Sequence, residues 1–127
     1  MKKIIILIVL LCFFTGCSSK KEEMVRVEMI TTREVKEVID NYENNKDIVI
    51  VDVRTESEYK SGHLKEAINI PVGEIESITI SKDKTLIVYC RSGSRSASAA
   101  KILSGMGYKV LDMGGIMNWE YDVVVED

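Results

Sequence analysis

Apolar and polar residues follow one another along this chain in two rhythms, once an opening hydrophobic block has passed. Ile4 to Phe14 is unbroken apolar sequence, and the stretch Ser18-Ser19-Lys20-Lys21-Glu22-Glu23 after it is too polar to pack. The first periodic segment opens on Thr31-Thr32-Arg33-Glu34, a capping box with Thr31 as N-cap and Glu34 three residues on. Behind it Val35, Val38, Ile39 and Tyr42 fall at i, i+3, i+4 and i+7, one face of a helix that Asn44-Asn45-Lys46-Asp47 ends. Ile48-Val49-Ile50-Val51 is short, β-branched and apolar throughout, which predicts a central strand covered on both faces. Thr55-Glu56-Ser57-Glu58 is a second capping box, for a brief helix that Gly62 closes. Ile68-Asn69-Ile70 predicts a short strand stopped by Pro71, and Leu86-Ile87-Val88-Tyr89 a buried one that runs directly into Cys90. From about Ser96, the positions Ala99, Ile102, Leu103 and Met106 mark a helix with Gly107 as its C′ residue. Val110-Leu111 is a further strand, followed by Gly114-Gly115 and a final helical segment around Trp119.

Strands that interleave with helices and are apolar on both faces predict an α/β domain with a mainly parallel sheet and helices on each side. Ligands of such sheets bind beyond the carboxyl ends of the strands. Cys90 sits at one of those ends.

The apolar block is well short of the roughly 20 residues that cross a bilayer as a helix. With Lys2 and Lys3 ahead of it and small residues behind, it reads as a signal peptide over residues 1–16, the alternative being an uncleaved N-terminal anchor. Phe14-Thr15-Gly16-Cys17 resembles the lipobox of bacterial lipoproteins, with Phe14 where Leu is usual. That resemblance implies a lipid-bearing Cys17 at the mature N-terminus, a polar tether over residues 17–28, and a domain over residues 29–127. Acyl chains on Cys17 imply a membrane-anchored, extracytoplasmic protein. Loss of Lys2 and Lys3 takes the net charge from −3 to −5, and an acidic domain gives no support to nucleic-acid binding. Cysteine placement then becomes informative. Cys12 leaves with the leader and Cys17 carries lipid, so Cys90 has no disulfide partner inside the domain.

A lone thiol is either buried and inert or present for its chemistry. Around Cys90 the composition decides, because Cys90-Arg91-Ser92-Gly93-Ser94-Arg95-Ser96 is not what a core turn requires. Amides at a helix N-terminus are unsatisfied and point at any anion there, and the helix dipole adds a positive end. Arg91 and Arg95 supply two permanent charges, while Gly93 and the small Ser92, Ser94 and Ser96 let the backbone fold tightly round one sulfur. Such surroundings favour a thiolate, and they would equally hold a persulfide anion.

This loop is similar to the active-site loop of single-domain rhodaneses. Val51-Asp52-Val53-Arg54, the run from Glu58 to Leu64 with Ala67-Ile68-Asn69-Ile70-Pro71, and Asp112-Met113-Gly114-Gly115-Ile116 with Trp119 resemble other motifs of that family, in order, from Met29 to Trp119. The resemblance implies the rhodanese-like three-layer fold and a sulfurtransferase. In its reaction Cys90 would take sulfane sulfur from a small anion such as thiosulfate and pass it to cyanide, a thiol or a protein acceptor. Covalent catalysis by one cysteine calls for no metal and no cofactor. Asp52 and Arg54 could contact substrate but are expected to form a structural ion pair at a strand end, and His63, whose ordinary pKa would suit a general base, is expected to hold a turn. Trp119 and Gly114-Gly115 are expected to shape the packing beside the loop. Two positions depart from the family: Glu66 stands where Gly is usual, leaving the local turn open to another path, and Val123 and Val125 replace the Gly and Pro that follow Trp119. Cysteine-dependent phosphatases place five residues between Cys and Arg, whereas four separate Cys90 from Arg95. A sulfur relay or redox sensor without turnover is the remaining alternative.

Overall fold

The computed structural model describes residues 27–127. The leader, Cys12, the lipobox-like Cys17 and the tether as far as residue 26 lie outside the described residues. Five strands form one parallel sheet in the order β1-β5-β4-β2-β3, with β1 Glu28–Met29, β2 Ile48–Asp52, β3 Ala67–Asn69, β4 Thr85–Cys90 and β5 Lys109–Gly115. Three α-helices join them: α1 Thr32–Asp40, α2 Glu56–Ser61 and α3 Ser94–Gly105.

Both capping boxes form as the sequence predicts, Thr31 with Glu34 at α1 and Thr55 with Glu58 at α2. The central strands split their side chains between two cores, as the two-residue period requires. Leu86, Val88 and Cys90 of β4 face the layer of α3, with Val51, Ala99, Ala100 and Leu103. Ile87 and Tyr89 face the layer of α1, with Val35, Ile39, Ile50 and Leu64. The architecture is therefore the expected one, a parallel sheet between two helical layers.

Several boundaries differ, each for a local reason. Glu28 already pairs with Leu111, so the first strand reaches into the stretch read as tether. β3 is Ala67–Asn69, one residue earlier than predicted. α3 begins at Ser94, directly behind Gly93, instead of Ser96. The register of β4 against β5 shifts between Val88 and Tyr89, a bulge that brings Gly114 and Gly115 opposite Tyr89 and Cys90. The Asp112 carboxylate accepts the Gly114 N–H at 2.9 Å across that bulge. The predicted helix around Trp119 is a single 3₁₀ turn, Ile116–Asn118, whose first-turn Met117 N–H donates to the Arg91 carbonyl (3.2 Å). Trp119 is extended, and the tail continues until Val124 pairs antiparallel with His63.

Glu66 keeps the glycine-like turn. Its φ is +71°, and the Ala67 N–H donates to the Leu64 carbonyl at 3.1 Å across it. A side chain in the left-handed region costs about 1–2 kcal/mol, while Leu64 and Ala67 on either side are buried and leave the turn no other path. Glu66→Gly is expected to raise stability by about 1 kcal/mol, after subtracting the chain entropy a glycine loses on folding. Chemical denaturation measures it, and an equal loss of stability would contradict the strain.

Candidate active site

β4 ends at Cys90, whose side chain is 1% exposed and turned toward α3. Three residues later Gly93 takes φ +115°, which turns the chain into the twelve-residue helix α3. No side chain caps this helix, in contrast with α1 and α2, and its first turn holds no acidic residue. The orphan amides find the sulfur instead. The Gly93 N–H donates to Cys90 Sγ at 3.0 Å. Burial pushes the Cys90 thiol up, but the Ser96 N–H, the Gly93 N–H, the Ser96 hydroxyl and the Arg95 N–H together bring it below the ordinary cysteine range. Ser96 is fully buried, with its hydroxyl 3.1 Å from the Gly93 carbonyl.

The loop is closed from the other side by β5. A Cβ on Gly115 would lie 2.4 Å from the Arg91 carbonyl oxygen and 2.8 Å from Ser92 Cα, so only glycine lets the two backbones meet. Gly114 is beside it, with its carbonyl 3.5 Å from the Ser96 hydroxyl.

The two arginines do not act as expected. Arg95 turns its guanidinium to Glu58 of α2, Nη1 to Oε1 at 2.7 Å and Nη2 to Oε2 at 3.0 Å. The Arg95 hydrogen bonds hold Glu58 at a pKa of about 2, against a smaller opposing effect of burial. Arg91 is exposed and has no ion-pair partner among the described residues. Ser92 and Ser94 are exposed on the outside of the loop. Backbone dipoles and one hydroxyl, more than guanidinium charge, therefore stabilise the sulfur anion.

Asp52 and Arg54 form a buried pair: Arg54 Nη2 meets Asp52 Oδ2 at 2.7 Å and also donates to the Gly62 carbonyl at 2.7 Å. The Asn69 amide clamps the carbonyls of both residues. His63 is buried, stacked on Tyr59 with ring centroids 3.8 Å apart, and bonded through Nδ1 to the Leu64 carbonyl and through Nε2 to Glu126. Each of the three is engaged with the scaffold of α2 and the tail. The sequence reading missed Glu58 as the partner of Arg95, because its capping box already accounted for it. It also missed the contact of Gly115 with the loop, which only the bulge in β5 creates.

A model of the rhodanese-like domain matches residues 34–122. A sulfurtransferase of Allochromatium vinosum is 38% identical over 80 residues, covering 60% of this chain and 75% of that protein. The thiosulfate sulfurtransferase PspE of Escherichia coli is 38% identical over 69 residues, covering 51% of this chain and 66% of its own. A rhodanese-like domain protein from Staphylococcus aureus superposes with a TM-score of 0.67 at 28% identity, covering 79% of this chain and 99% of its own.

Gly115→Ala is expected to cost about 1–3 kcal/mol by overpacking against the loop backbone, and to move the Cys90 thiol back toward the ordinary cysteine range. Gly73→Ala, where a Cβ meets nothing within 4 Å, should do neither. Denaturation and pH-dependent alkylation of Cys90 check both, and equal behaviour of the two variants would refute the contact.

Proposed function

The chain belongs to the rhodanese-like family, and on that premise we propose that it carries sulfane sulfur as a persulfide on Cys90. It is a rhodanese-type sulfurtransferase, as its relatives are. The observation that carries the reading is the Cys90 sulfur at the uncapped start of α3, taking the Gly93 N–H at 3.0 Å. A thiolate attacks the outer sulfur of thiosulfate, the donor S–S bond breaks, and sulfite leaves with the electron pair. Cys90 then bears a persulfide, again an anion, so the same amides serve both states. A thiol or cyanide attacks the outer sulfur, the Cys90–sulfur bond breaks, and the Cys90 thiolate returns. Thiosulfate as donor is supported by the likeness to PspE. A phosphatase reading is disfavoured, since the Arg95 guanidinium that would grip a phosphate is occupied by Glu58. The apolar block and the Cys17 motif support a lipid anchor outside the cytoplasm.

Mass measurement after incubation with thiosulfate should show one added sulfur, cyanide should then release thiocyanate, and Cys90→Ser should do neither. Sulfur uptake without turnover would favour a relay, and hydrolysis of a phosphate ester by Cys90 would revive the phosphatase. Labelled palmitate fed to expressing bacteria should enter the protein and be lost in Cys17→Ala. Equal labelling of both would refute the anchor.

A further inference from the structure

Arg95 belongs to two structures at once. Its N–H is one of the groups that stabilise the Cys90 anion, and its guanidinium makes two hydrogen bonds to Glu58. Glu58 is itself immobilised, with Oε1 accepting from both the N–H and the hydroxyl of Thr55 at 3.0 Å. The helix that carries it is braced at its far end. The Tyr59 hydroxyl donates to the Ala67 carbonyl at 2.6 Å, and the Gly62 carbonyl accepts from Arg54, which Asp52 holds at the end of β2. A rigid path therefore runs from the centre of the sheet through α2 to the first turn of α3. We propose that Glu58 is a positioning residue for Cys90: by holding the Arg95 side chain it fixes the backbone amides that face the sulfur.

A purely electrostatic role predicts the opposite sign. Without Glu58 the Arg95 charge would be uncompensated beside the thiolate and would make the thiol more acidic. Loss of positioning loosens the amide cradle and makes it less acidic. Glu58 stays ionised throughout the range in which Cys90 titrates, its own pKa lying at about 2. The inference rests on Cys90 as nucleophile, but thiol titration needs no sulfur donor, so failure of one leaves the other standing.

The test is the pH dependence of iodoacetamide alkylation of the full chain, read at the Cys90 peptide so that Cys12 and Cys17 do not interfere. Glu58→Ala is expected to raise the midpoint by about one unit, which below the midpoint lowers the thiolate fraction about tenfold and slows persulfide formation. Glu58→Gln, which keeps one oxygen for Arg95, should raise it less. Thr55→Ala, which removes the Thr55 hydroxyl from Glu58 but leaves both Arg95 bonds, should lower the melting temperature and raise the midpoint by clearly less than Glu58→Ala does. An unchanged or lowered midpoint in Glu58→Ala overturns the proposal, as does an equal rise in Thr55→Ala. Should Glu58→Ala not fold, Glu58→Gln decides by the same sign, and no rise overturns it.

Discussion

The first amides of a helix have no partner inside it, and a buried anion cannot stay charged without donors. At the junction of β4 and α3 each need meets the other. α1 and α2 spend a threonine and a glutamate on their first turns, whereas α3 begins bare and receives the Cys90 sulfur. Cys90 is 1% exposed, which raises the cost of its charge, and the amides around it more than offset that cost. Much of the surrounding structure serves this meeting. Period-two alternation aims Cys90 at the α3 layer, Gly93 turns the chain, and the bulge in β5 brings a glycine with room for the loop backbone.

This division of labour changes what the arginines are for. A guanidinium on the sulfur would stabilise a thiolate, but it would also bind any small oxyanion and obstruct the approach of a donor. Arg95 is instead spent on Glu58 of α2, so its charge is compensated where it stands and its backbone is fixed. Arg91 is exposed and forms no ion pair among the described residues. The sulfur is thus held by dipoles that cannot leave, with neither guanidinium committed to it.

Much of this was legible in the sequence because it depends on local chemistry. Two capping boxes, two short apolar strands and one cysteine at a strand end each carry their meaning within a few residues. What was not legible depends on residues far apart. Glu28–Met29 is a two-residue edge strand with exposed side chains, too short to show any period, and only β5 makes it a strand. The bulge after Asp112 leaves no mark on the hydrophobic pattern. Arg95 and Glu58 are 37 positions apart, and each already had a sufficient local explanation. At Glu66 the residue type pointed away from the turn actually formed, because buried neighbours on both sides outweigh the preference of one exposed backbone position.

Burial of the nucleophile looks at first like an obstacle to group transfer, yet it follows from what is transferred. A persulfide places its outer sulfur about 2 Å beyond the cysteine, so the atom an acceptor must reach is never the buried one. The thiolate needs access only for one sulfur atom of the donor. After transfer, the negative charge moves outward by one bond, within the loop of amides that hold the thiolate. A cradle made of backbone tolerates this displacement better than one salt bridge would, since several donors share the anion and none must be broken to release it. A lone, deeply seated cysteine is therefore suited to carrying sulfur, provided the loop around it cannot collapse when its cargo departs.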